Sequence, residues 1–122
     1  MKMESSGLLE EDVHSIKEVL RHSPRITEAI LYGSRAKGTH RPGSDIDLTL
    51  KGNELSHHDL LDIELALDDL LLPYKIDLSL YHQLDNPQLI DHIARVGKIL
   101  YKATDRSANG RRVAEGFEGK TY

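Results

Sequence analysis

The sequence predicts an α+β domain of two α/β layers, a small mixed β-sheet with helices packed on one face. Three observations carry this. Asp45 to Lys51 (DIDLTLK) and Lys75 to Tyr81 (KIDLSLY) alternate apolar and polar residues, the period of a half-buried strand. Three other segments repeat apolar residues at helical spacing. The order reads helix, strand, strand, helix, strand, helix, strand, so the apolar faces of strands and helices can bury each other.

The first helix is expected over Glu10 to His22. Glu10, Glu11 and Asp12 sit where a first helical turn favours negative charge, and Val13, Ile16, Val19 and Leu20 recur at helical spacing. Ser23-Pro24 stops it. Thr27 to Tyr32 (TEAILY) is a short strand ending at Gly33. Gly33 to Ser44 (GSRAKGTHRPGS) is rich in turn formers and basic residues, a loop with one helical turn after Ser34. In the strand from Asp45, Ile46, Leu48 and Leu50 point one way, and Asp45, Asp47, Thr49 and Lys51 the other.

Ser56 to Leu72 opens with a Ser-x-x-Asp capping signature, carries the stripe Leu60, Ile63, Leu67 and Leu70, and closes at Pro73. The next strand sets Ile76, Leu78 and Leu80 against Asp77 and Ser79. Asn86-Pro87 starts a last helix toward Gly97, with Leu89, Ile90, Ile93 and Ala94 as its apolar positions. Ile99 to Tyr101 is a final short strand. One domain over 1–103 is therefore expected, with a frayed, glycine-containing tail over 104–122.

Composition narrows the function. The 122 residues suffice for one core but leave little chain for a second, substrate-binding domain. A net charge of -4 argues against broad nucleic-acid binding by phosphate neutralisation. With no cysteine, disulfides and thiolate metal sites are excluded, and any metal must rest on oxygen or imidazole. Met1 to Leu9 holds no apolar core of signal-peptide length, and no run is long enough to span a bilayer. The expected location is cytoplasmic, with no membrane partner.

The chemistry concentrates in three carboxylates and a turn. Asp45 and Asp47, two apart on a strand, project from one face and repel each other unless a cation joins them. Asp77 occupies the same kind of position on a strand of near-identical pattern. Such oxygen ligands suit Mg²⁺ or Mn²⁺, which bind through a few carboxylates plus substrate phosphates. Gly33 follows a strand directly and lets the backbone approach a ligand. A helical turn at Ser34 would aim free N–H groups at an anion. Arg35, Lys37, His40 and Arg41 add positive charge nearby. Gly33, Ser34 and Arg35 are the candidate cofactor-binding residues; Asp45, Asp47 and Asp77 are the candidate catalytic residues and metal ligands. Singly, each has an ordinary reading: a solvated Asp-x-Asp, a plain turn, a surface acid. The combination describes a site for a metal-bound nucleoside triphosphate.

Competing motifs fit less well. Gly33 and Gly38 have P-loop spacing, but Thr39-His40 stands where Lys-Ser/Thr is needed. An EF-hand from Asp45 fails at Thr49 and at Leu50, where a glycine belongs. His57-His58 diverge by roughly 100° on a helix and read as its solvated start. Arg111-Arg112 is too short for a nucleic-acid patch. Tyr32 reads as a core or rim residue beside the loop.

The run Gly33-Ser34-Arg35-Ala36-Lys37-Gly38, then Ser44-Asp45-Ile46-Asp47-Leu48, with Asp77 in Lys75-Ile76-Asp77-Leu78, resembles the Gly-Ser…Asp-x-Asp signature and third acid of the DNA polymerase β-like nucleotidyltransferases. The likeness covers about Leu8 to Tyr101, and the short length is similar to the minimal nucleotidyltransferases, the MNT antitoxins of HEPN/MNT toxin–antitoxin pairs. It implies a nucleotidyltransferase fold, Gly33 and Ser34 holding the triphosphate of ATP, and two Mg²⁺ or Mn²⁺ ions on Asp45 and Asp47. Asp77 would complete one metal site and help activate the attacking hydroxyl. It further implies AMP transfer to a hydroxyl of a HEPN-type toxin partner. An antitoxin acting by contact alone and a small-molecule (antibiotic-type) transferase, whose pocket a homo-oligomer could complete, are the alternatives.

Overall fold

A computed structural model describes residues 6–103. The expected tail over 104–122 lies outside the described residues.

Helix α1 (Glu10–Arg21) buries Val13, Ile16 and Leu20 and begins with three acids. Strand β1 (Glu28–Tyr32) follows, then the one-turn helix α2 (Ser34–Lys37), as the turn-rich loop suggested. Strand β2 is Ile46–Lys51, one residue shorter than the alternation implied, with Asp45 in the loop just before it. Helix α3 (His57–Asp68) starts at a complete capping box: the Asp59 amide donates to Ser56 Oγ at 3.2 Å, and the Ser56 amide donates to Asp59 Oδ2 at 2.9 Å. Arg25 reaches the same carboxylate at 3.2 Å, tying the approach to β1 to the start of α3. Strand β3 is Ile76–Leu80, and a 3₁₀ turn, Tyr81–Gln83, follows it. Helix α4 (Pro87–Val96) is capped by Asn86, whose side chain accepts from the Gln88 and Leu89 amides. Strand β4 (Lys98–Lys102) is the last strand among the described residues.

Helix α3 ends four residues earlier than expected. Asp68 and Asp69 place negative charge at its carbonyl end, where the helix dipole opposes it. Leu71 then takes a left-handed φ of 56°, and Pro73 bars any continuation.

The four strands form one mixed sheet in the order β3-β2-β1-β4. β1 pairs antiparallel with β2 and with β4, while β2 and β3 run parallel, joined by α3 as crossover. The β1–β4 ladder shifts register: Ala29 faces Tyr101 and Ile30 faces Ile99, leaving Leu100 unopposed. Leu100 and Tyr101 consequently both enter the core.

The main core fills the space between α1, α3 and one sheet face. Ile16, Leu20, Leu31, Ile46, Leu48 and Leu50 are fully buried there. The expected α+β class therefore holds. One helix departs from the expected single covering layer: α4 packs on the opposite face, where Ile93 joins Ile30 and Tyr32 in a second cluster. The reason lies in β1, which is apolar on both sides and needs cover on both. Among the described residues no helix is long and apolar enough to cross a membrane.

Candidate active site

The site sits where β1 gives way to α2. The antiparallel register sets Tyr32 opposite Asp47, and the parallel register sets Asp47 beside Asp77. The period of two then places Tyr32, Asp47 and Asp77 on one face, with Thr49 and Ser79 one step along it. Ser79 Oγ donates to Thr49 Oγ1 at 3.0 Å.

Gly33 turns the chain at φ 77°, ψ -155°, a conformation side chains with a Cβ rarely adopt. A Cβ there would also collide with the Asp47 carboxylate. The turn favours glycine, and a side chain there would displace the acid beneath it. Ser34 opens α2, whose first-turn N–H groups have no partner within the helix.

Asp47 is half-buried, while Asp45 and Asp77 are exposed. Burial raises the Asp47 carboxyl above its ordinary range; the neighbouring charges of Asp77 and Asp45 raise it further, and His92 opposes them. Burial likewise raises the Tyr32 hydroxyl, with Asp47 and Asp77 adding to it against the Ser79 hydroxyl. Among the three acids, the neighbouring charges act on Asp47. Among the described residues, no three His, Asp or Glu side chains are gathered tightly enough to hold a metal by themselves. The carboxylates fit a hard divalent cation whose remaining ligands come from phosphate and water.

Arg35 corrects its expectation. Its side chain does not extend toward a ligand: it is 2% exposed. Nε and Nη2 donate to the Ser44 carbonyl at 3.1 and 2.9 Å, and Nη1 donates to the Ser6 carbonyl at 2.7 Å. The guanidinium lies 4.9 Å from the centre of the Tyr74 ring. Arg35 therefore clamps the loop that delivers Asp45.

One residue at the site went unremarked in the sequence. His92, on α4, accepts the Gly33 N–H at Nε2 over 3.1 Å. Its ring meets Tyr32 edge-on, with centroids 6.2 Å apart and planes at 80°. No spacing within the sequence marks it, because its position depends on α4 lying over the acid face.

Residues 14–106 match the sequence profile of the family described as polymerase beta nucleotidyltransferase. Comparison with curated protein sequences gives no significant match. Among solved structures, a toxin–antitoxin crystal structure with AMP-PNP contains a chain 21% identical, at a TM-score of 0.61, covering 80% of this chain and 85% of that one. A chain of the tri-AMPylated Shewanella oneidensis HEPN toxin in complex with MNT antitoxin is 19% identical, at 0.58, covering 82% and 77%. A chain of the MntA-HepT toxin–antitoxin is 18% identical, at 0.58, covering 83% and 86%. At such identities the structural likeness is one of fold. The profile, however, spans most of the chain, including the Gly33 turn and all three acids, and on that ground the chain belongs to the polymerase beta nucleotidyltransferase family.

Proposed function

We propose that the chain transfers AMP from ATP to a hydroxyl on a HEPN-type protein partner, as the antitoxin of a toxin–antitoxin pair. The observation that carries this reading is the acid pair Asp47 and Asp77, in register on parallel strands, with Asp47 directly beneath the Gly33 turn. The solved structures of similar fold, which include a HEPN toxin described as tri-AMPylated, support the choice of reaction and partner.

In this reading the backbone at Gly33 and Ser34 holds the triphosphate. Arg35 serves the site from beneath by fixing the loop before Asp45. Asp45, Asp47 and Asp77 would hold two Mg²⁺ or Mn²⁺ ions, which supply charge stabilisation for the incoming and leaving oxygens when bound. The acceptor oxygen forms a bond to the α-phosphorus, the bond to the bridging oxygen of the β-phosphate breaks, and pyrophosphate leaves. Asp77 helps activate the acceptor hydroxyl by drawing on its proton. Docking of a protein acceptor would bring its hydroxyl to the α-phosphate without an enclosing pocket.

The test is mass spectrometry of a HEPN-type protein, sought first in the neighbouring gene, after incubation with the chain, ATP and Mg²⁺. The expected result is a mass gain of AMP that is absent with Asp45→Ala/Asp47→Ala. A partner bound and neutralised with no mass change would instead establish an antitoxin that acts by contact.

A further inference from the structure

We infer that His92 is a positioning residue of the nucleotide site, holding the Gly33 peptide in the one orientation that the site requires. The inference rests on the reading of the site as a nucleotidyltransferase centre and adds a residue to it.

Two demands conflict at Gly33. The turn's φ of 77° favours glycine, and a Cβ there would push the Asp47 carboxylate aside. Glycine, however, visits left- and right-handed conformations about equally, so nothing in the residue itself holds φ at 77°. A turn intended to grip phosphate needs that backbone fixed before the ligand arrives. The restraint has to come from outside the turn, and His92 supplies it: Nε2 accepts the Gly33 N–H at 3.1 Å. The ring is itself held, edge-on to Tyr32 and on a helix anchored by Ile93 against Ile30 and Tyr32. Gly97 keeps α4 close to the sheet: a Cβ there would stand 2.7 Å from Ile30 Cγ2. A chain of contacts therefore runs from the α4 face through His92 to the turn above Asp47.

Three variants separate the hydrogen bond from mere packing. His92→Gln retains an acceptor near the place of Nε2. His92→Phe retains a ring against Tyr32 but accepts nothing, and His92→Ala does the same without the bulk, should the phenyl ring not fit. Mg·ATP affinity is measured by calorimetry, and Gly33 amide exchange by NMR. The expected result is a loss of about five- to tenfold in affinity for the Phe and Ala variants, with faster Gly33 exchange, and near-normal values for Gln. A His92→Phe protein that binds Mg·ATP as the wild type does overturns the role, as does equal loss in Gln and Phe. Tighter binding on removal of the imidazole also overturns it, by showing that His92 only fills the place of a phosphate. If the wild type itself binds no Mg·ATP, the nucleotidyltransferase reading falls and this inference falls with it.

Discussion

Asp47 concentrates the physics of the site in one side chain. It is half-buried under Gly33, flanked by two other acids, and its carboxyl is held above the ordinary range by burial and then by Asp77 and Asp45. An acid raised in this way binds its proton more tightly folded than unfolded, so folding stability falls as pH climbs past the ordinary carboxylate range. Asp47→Asn removes that penalty. Without metal, the variant should melt higher than the wild type at neutral pH, by an amount worth less than about 1 kcal/mol after solvent screening. The advantage should vanish as pH drops below the ordinary carboxylate range, and transfer activity should be nearly abolished throughout. Melts across pH check the first part, and a variant that is less stable at neutral pH contradicts it. At this scale the three acids and Gly33 were legible, because a period of two and a strand-to-glycine step are properties of neighbouring residues. Arg35 was legible as a residue of importance but not in its role, since the carbonyls it binds belong to Ser6 and Ser44.

Among the elements, α3 shows how local chemistry fixes a boundary. The Ser56–Asp59 box caps its start, and hydrogen bonds from the Ser56 backbone and side chain, with Arg25 alongside, hold the Asp59 carboxyl below the ordinary range. A depressed acid contributes stability above the ordinary carboxylate range and loses it as pH falls through its lowered value. Asp59→Ala should therefore lower the melting temperature at neutral pH, and the two melting curves should converge in acid. A difference that persists undiminished at low pH would show that the carboxylate charge is not the source. The box was readable four residues into the helix, whereas the helix end was not: apolar residues continue to Leu72, and only the acidic C-terminal turn and the left-handed Leu71 stop it sooner. The side of the sheet taken by α4 had a quieter signal. The run Ala29 to Tyr32 does not alternate, which marks a strand buried on both faces.

At the scale of the whole molecule, nucleotide and metal should act on stability together. A ligand bound only by the folded chain stabilises it by mass action, about 2.7 kcal/mol at a hundredfold excess over Kd, or roughly 10 °C for a domain of this size. Mg²⁺ with ATP should raise the melting temperature more than either alone, and an additive or absent shift in a calorimetric melt would contradict a shared site. The sequence by itself determined the element order, the α+β class, the three acids and the glycine turn, because each is written in spacing between residues a few positions apart. The tertiary structure alone decided which of the candidate acids stand side by side. Asp47 and Asp77 are thirty positions apart, and only the parallel register of β2 with β3 sets them side by side. It also decided that α4 crosses to the acid face and brings His92 to Gly33, a contact between residues fifty-nine positions apart. Local patterns report which face of an element is apolar; which neighbour covers that face is settled by the packing of the whole chain.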